Sequence, residues 1–324
     1  MVDRAPSDGS TAPRRPEFAA DDSGHCSHGR QNPPMSVLLA VCASALFGVA
    51  DFLGGSSARR IQPTISSFAS QVAGLVVLTT AAFVTGGLLL GPDLALGALG
   101  GAIGAVSIWL FYRGLSLGAM SVVAPVSAVT SAVVPILVGV AIGESPAPVS
   151  WLGVALALPA VVLISREGTA GAENRQDEPI EERATPSSNR AGVTAGLLAG
   201  AGFGAFVTLL TRTSSESGIW PLVSARAVAS LLTLGAMAAT GLIWKISRGR
   251  GLNLALVAGV LDATSNVLIL EAGRRGLLVL VGVIGSLYPA TTVLLARVVL
   301  AEKLQRHQVL GLALAVVAIV LVAL

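Results

Sequence analysis

From Ser36 onward the chain is a succession of long apolar runs separated by short polar ones, with no strict alternation inside the runs. Runs of this kind predict helices. They argue against a membrane β-barrel, whose strands read as segments of about ten alternating residues. A hydrocarbon layer about 30 Å thick needs roughly 20 mostly apolar residues in a helix. Ten stretches meet that need: Ser36–Gly54, Ile65–Leu90, Leu94–Leu115, Ala119–Gly143, Val149–Ser165, Gly192–Leu210, Trp220–Trp244, Leu254–Leu270, Leu277–Leu300 and Gln308–Leu324. Between the fifth and sixth lies Arg166–Arg190, a charged segment rich in Pro, Gly and Ser that belongs in water.

The pattern therefore predicts an all-α membrane protein of ten transmembrane helices. Residues 1–34 form a polar tail, 35–166 a first five-helix unit, 167–190 a linker and 191–324 a second five-helix unit. The tail holds too few large apolar residues to offset its ordering entropy and reads as disordered. It has no apolar core following a basic start, so it does not read as a secretory signal.

The two units repeat one another. Glu144 and Glu302 stand 158 residues apart, as do Gly153 and Gly311, Gly118 and Gly276, and Leu137 and Leu295. Nine of the twenty positions in Glu144–Leu163 are identical to those in Glu302–Leu321. Phe47-Gly48 and Phe203-Gly204 match at an offset of 156. Five helices is an odd number, so the second unit enters the bilayer from the opposite side. The expectation is a pair of inverted repeats, an arrangement used by secondary transporters.

Composition narrows the class further. The chain is 53% hydrophobic and 12% charged, against about 25% charged for soluble domains. Its net charge of +3 comes from scattered arginines rather than a basic stripe, so nucleic acid is not an expected partner. Cys26 and Cys42 support no disulfide framework. His25, Cys26 and His28 in the tail lack further ligands nearby, so no metal is expected. No P-loop, dinucleotide loop or nucleophile–base pair is present. The reading is a non-enzyme without cofactor, not driven by ATP through this chain.

Charged groups inside the apolar runs are the informative ones, because each costs about 2.5–3.5 kcal/mol on insertion scales. Asp262 lies eight residues from either end of its predicted span. A carboxyl there suits proton coupling, or else a structural hydrogen bond between helices. Asp51, before Gly54-Gly55, either reaches a cavity or sits at the water interface. Arg226 could hold an anionic substrate group, neutralise Asp262 or snorkel outward. Trp109, Tyr112 and Tyr288 could line a pocket beside Ser265 and Asn266, or could simply pack. Glu144 and Glu302 fall at equivalent hinges, where capping or orienting the hinge is the expected role. Arg113, Glu271, Arg274, Arg275 and Arg297 lie near run ends, and Trp151, Trp220 and Trp244 do too. All suit the interfacial belt. Pro125, Pro135 and Pro289 should kink their helices, and Gly97, Gly100, Gly101 and Gly104 should permit close helix packing.

Three stretches carry a family resemblance: ALFGVADFLGG in the first helix, IWLFYRGLSLGAMSVVAPVSAV through the third and fourth, and IGSLYPATTVLLARVVLAEKL in the ninth. Together with the paired hinges they resemble the EamA family of the drug/metabolite transporter superfamily, over about Ser36–Leu324. The resemblance implies a transporter in the cell membrane, monomeric or homodimeric. It would move amino acids, metabolites or drugs outward, often with ion coupling, and its partners would be the solute, protons and the bilayer. A membrane-embedded lipid enzyme and a non-transporting sensor subunit are the rival readings. The family often carries an Arg early in the second and seventh helices. Arg226 fits the seventh, whereas Gln71 takes the matching place in the second. The resemblance also implies both termini in the cytoplasm. The short-loop count points the other way, since Arg59, Arg60, Lys245, Arg248, Arg250, Lys303 and Arg306 would then lie outside.

Overall fold

The computed structural model describes residues 33–117, 120–165, 186–245, 248–299 and 305–324. Among these residues there are eleven α-helices, two short 3₁₀ turns and no strand. The first unit holds α1 (Pro33–Ala58), α2 (Pro63–Thr85), α3 (Gly91–Leu117), α4 (Met120–Ala141) and α5 (Pro148–Ser165). The second holds α6 (Pro186–Thr211), α7 (Trp220–Ala239), α8 (Arg250–Arg275), α9 (Leu278–Gly285), α10 (Pro289–Val299) and α11 (Arg306–Ala323). Many of these helices open on or beside a proline. The first turn suits proline because its missing N–H would have had no helical acceptor there.

Helices α9 and α10 together make the ninth crossing, which departs from the continuous span predicted over Leu277–Leu300. Pro289 supplies no N–H to continue α9, and the chain turns through Ser286–Tyr288 instead of bending smoothly. Other boundaries also moved. The second span stops at Thr85 rather than Leu90, because Gly86 and Gly87 take left-handed backbone conformations (φ 77° and 122°). The seventh ends at Ala239 rather than Trp244. The sixth begins at Pro186, inside the segment read as linker.

Five crossings in each half place residue 33 and Leu324 on one face, called here the terminal face, and Ser165 and Pro186 on the opposite, linker face. The packing follows an approximate two-fold exchange of the halves. Helix α1 lies along α8 as α6 lies along α3, and α2 meets α8 as α7 meets α3. Helices α2 and α7 meet each other across the axis, and so do α5 and α11.

Glycines mark the closest of these crossings. A Cβ on Gly153 would lie 2.8 Å from the carbonyl oxygen of Ala318, and one on Gly311 would lie 3.0 Å from that of Ala160. Ala160 and Ala318 are themselves one repeat apart. The main apolar core joins α1, α4, α5, α8, α9 and α11 around Ala160, Val161, Val279 and Ile284. A smaller one joins α2, α6, α7 and α8 around Leu78, Leu210, Leu222 and Leu270.

Candidate functional site

Gln71, the ninth residue of α2, and Arg226, the seventh of α7, occupy matching places in the two halves. Residues related by a two-fold axis meet only where the axis passes, and these two meet: Arg226 Nη1 donates to Gln71 Oε1. Arg226 Nη2 also pairs with Asp262 Oδ2 from the middle of α8. The side chains keep 12% and 29% of their exposure, so Asp262 is the more accessible partner. Asn266, one turn along α8, donates Nδ2–H to the Asp262 carbonyl at 2.8 Å and to Oδ2 at 3.3 Å. Its Oδ1 is buried without a partner among the described residues.

Gly74, one turn after Gln71, makes room for this cluster: a Cβ there would stand 3.2 Å from Arg226 Nε and 3.1 Å from the Gly259 carbonyl oxygen. The cluster is nearly charge-neutral. In a medium of low dielectric, an ion pair with added hydrogen bonds is the arrangement that a buried charge requires. It ties α2 of the first half to α7 and α8 of the second.

Sequence reasoning reached Arg226 and Asp262 by their charge but treated Gln71 only as a departure from a family pattern. The repeat itself was the available signal. A residue equivalent to Arg226 across an axis between α2 and α7 is a candidate to touch it.

The other predicted residues are placed as follows. Ser265 is fully buried and donates its hydroxyl to the Leu261 carbonyl of its own helix at 2.8 Å. Trp109 is 60% exposed on α3, which packs along α6 and α7, whereas Tyr288 precedes α10 beside α1. The structure thus gathers Asp262, Arg226 and Asn266, while Trp109 and Tyr288 lie on other elements. The Tyr112 side chain and all of Glu302 lie outside the described residues, as do the tail histidines.

Asp51 is exposed on α1, one turn beyond Gly48. At Gly48 the chains touch: a Cβ would sit 2.5 Å from the Tyr288 carbonyl oxygen, and Thr292 Oγ1 donates to the Gly48 carbonyl at 3.1 Å. A cleft of about 380 Å³ opens between α1, α10 and α11, lined by Val41, Leu287, Leu294 and Val316. It is apolar and excludes the charged cluster.

On the terminal face, charged side chains hold loops and helix ends together. Glu144 accepts from the backbone N–H groups of Leu278 (2.8 Å) and Val279 (2.9 Å), where the positive end of the α9 dipole favours an anion. Asp93, buried at the start of α3, accepts from Ser214 N at 3.0 Å and from Ser217 Oγ. Arg274 Nη2 donates to the carbonyls of Ser214 and Gly218, both at 2.8 Å. Arg274 was read as an interfacial anchor. With a side chain only 10% exposed, it instead clamps the loop between α6 and α7.

On the linker face, hydroxyls join α1 to α8 and to α2. Ser57 Oγ donates to the Gly251 carbonyl at 2.8 Å and accepts from Ser66 Oγ at 2.8 Å. Gly251 stands one repeat, 158 residues, after Asp93.

A hydrogen bond to a charged group contributes about 1.5–3 kcal/mol. Glu144→Ala removes two, so its unfolding temperature in detergent should fall by several degrees, with Glu144→Gln intermediate. Equal melting of wild type and Glu144→Ala would mean that the cap adds no stability.

Two inverted five-crossing halves, a broken crossing and an ion-paired cluster between the halves define a multi-pass membrane protein of transporter architecture. The EamA-like transporter family matches residues 34–166 and 190–324, and the chain belongs to that family. Membership places it in the drug/metabolite transporter superfamily, and members of the EamA family are transporters rather than enzymes. A solved crystal structure of a protein is similar in fold, with a TM-score of 0.67 at 16% identity, covering 88% of this chain and 95% of its own. No curated protein matches the sequence.

Proposed function

We propose that this chain is a secondary active exporter in the cell membrane. It moves small metabolites, amino acids or drugs by alternating access, with proton coupling through Asp262. The observation that carries this reading is the Gln71–Arg226–Asp262–Asn266 cluster, which joins the halves deep inside the bilayer. Protonating Asp262 removes the charge that holds Arg226. The guanidinium then keeps only its bond to Gln71 and is free to take an anionic or polar group of the solute. Loosening α7 and α8 from one another at that moment lets the halves rock.

The terminal face, held by Glu144, Asp93 and Arg274, is the closed one in this state. With both termini in the cytoplasm, closure is toward the cytoplasm.

The test is solute-driven proton movement in proteoliposomes, screened over amino acids, neutral metabolites and cationic drugs. Wild type should move protons with one class of solute. Asp262→Asn should lose roughly tenfold or more of that coupled flux, equivalent to about 1.4 kcal/mol, while still exchanging solute for solute. Equal proton movement by wild type and Asp262→Asn would remove Asp262 from the coupling role.

A further inference from the structure

The cleft between α1, α10 and α11 lies within the spans and opens sideways, toward the bilayer. Its floor is buried at Ser44, Leu287 and Ala315, whereas Leu294, Ala313 and Val316 on its rim are exposed. At about 380 Å³ it falls among the cavities that hold small ligands, roughly 300–1,000 Å³.

Charge marks only one end of it. Toward the terminal face, α1 begins with residues 33–40 and α11 finishes with residues 320–323, and neither stretch has an ionisable side chain. Toward the linker face, Arg297 follows Leu294 by three residues on α10, and Arg306 precedes Ala313 by seven on α11. Each arginine therefore shares a helix face with a rim residue, and both are exposed. Arg59 and Arg60 leave α1 at the same surface. Between the two helices the sequence adds Lys303 against Glu302, so the stretch stays basic. Asp51 is the one acid on these three helices among the described residues. It lies seven residues before the end of α1, about 10 Å deeper than that surface.

An apolar wall selects nothing in a membrane, because lipid tails are as apolar as leucine. Selection needs the charged end. Arginines at the interface attract anionic headgroups, and basic pockets between membrane helices hold them. The lengths agree as well. Val316 lies ten residues past Arg306, about 15 Å along α11, and one leaflet is half of a hydrocarbon layer about 30 Å thick.

We propose that this cleft binds one anionic phospholipid, with an acyl chain over Ser44, Leu287 and Ala315 and the phosphate between Arg297 and Arg306. The lipid belongs to the leaflet at the linker face. Helix α1 comes from the first half and α10 and α11 from the second, so the seated lipid touches both halves. Its binding does not depend on what solute the protein carries.

The experiment uses the purified full-length chain in mild detergent, with native mass spectrometry to count the lipids retained. The probes are dioleoylphosphatidylglycerol, dioleoylphosphatidylcholine and glycerol 3-phosphate. One phosphatidylglycerol should stay on each chain, held more tightly than phosphatidylcholine. An arginine near the surface is worth about fivefold in affinity for an anionic lipid. Arg306→Gln should therefore weaken phosphatidylglycerol by about that factor, and Arg297→Gln with Arg306→Gln by roughly twentyfold, with phosphatidylcholine unchanged. Glycerol 3-phosphate has the charge without the chains and should not compete. Val316→Trp, placed on the exposed rim, should fill the cleft and weaken both lipids. The arginine variants, at exposed positions, hold the test open if Val316→Trp fails to fold.

Equal retention of the two phospholipids by wild type would overturn the proposal. So would phosphatidylglycerol held by the double arginine variant, or by folded Val316→Trp, as tightly as by wild type. Competition by glycerol 3-phosphate would reduce the site to a bare phosphate contact. A lipid-free dimer that Val316→Trp dissolves would make a second copy of the chain the occupant instead.

Discussion

Arg226→Ala should be among the most destabilising single substitutions in this chain, because it strands Asp262 without its cation. Removing one partner of a buried pair costs about 3–5 kcal/mol, well above the value of an exposed pair. Here the loss extends further, since Gln71 loses the donor to its Oε1 at the same time. The expected result is a large drop in the yield of monodisperse protein and in its melting temperature in mild detergent. The cure should be charge removal on the other side. Arg226→Gln combined with Asp262→Asn leaves two neutral groups able to hydrogen-bond each other, and should recover most of the lost stability while staying inactive in coupled transport. A double variant no more stable than Arg226→Ala would show that the cost lies in lost packing of the arginine stem rather than in the stranded charge.

The second large effect belongs to a matched pair of glycines. Gly101 of α3 presses on the backbone at the Ala225 carbonyl of α7, and Gly259 of α8 presses on the Ser70 carbonyl of α2. The two glycines are 158 residues apart, and Ser70 and Ala225 are 155 apart, so one crossing is built twice. A side chain at either place meets backbone, which cannot swing aside as a flexible side chain can. Overpacking of a core costs about 1–3 kcal/mol and occasionally more, and a backbone obstacle belongs at the upper end. Gly101→Leu and Gly259→Leu should therefore each prevent assembly of the folded protein, to similar extents. Even alanine should destabilise at both, although it gains up to about 1 kcal/mol of helix propensity over glycine. Gly54 and Gly55 of α1 have nothing within 4 Å of a built Cβ, and Ala there should be neutral or stabilising. Comparable losses at Gly54 and Gly101 would contradict the crossing as described.

Much of the architecture was legible because it is written in one-dimensional terms. Apolar run length reports the bilayer, and the Glu144–Glu302 and Gly153–Gly311 spacing reports the repeat, whatever the packing. The candidate site was legible only in part. Arg226 and Asp262 stood out because charge in an apolar run has an energetic cost at any address. Gln71 is uncharged and carried no such flag. Arg274 looked like one more basic residue near a helix end, and its role depends on carbonyls of a loop about 60 residues earlier in the chain. Trp109 and Tyr288 were grouped by residue type, and type alone does not say which helices are neighbours.

By itself the sequence determined that the chain is helical, that it crosses a membrane about ten times, and that its halves are inverted copies. Those follow from hydrophobic length and from parity, which need no partner in space. Only the tertiary structure decided that the ninth crossing breaks at Pro289, that Gln71 and Arg226 meet on the axis, and that Glu144 caps a helix of the opposite half. It also left Asp51 without a hydrogen bond or ion pair among the described residues. Each of these depends on which backbones approach within hydrogen-bonding reach, and in a bilayer that is settled by glycine-lined contacts between helices distant in sequence.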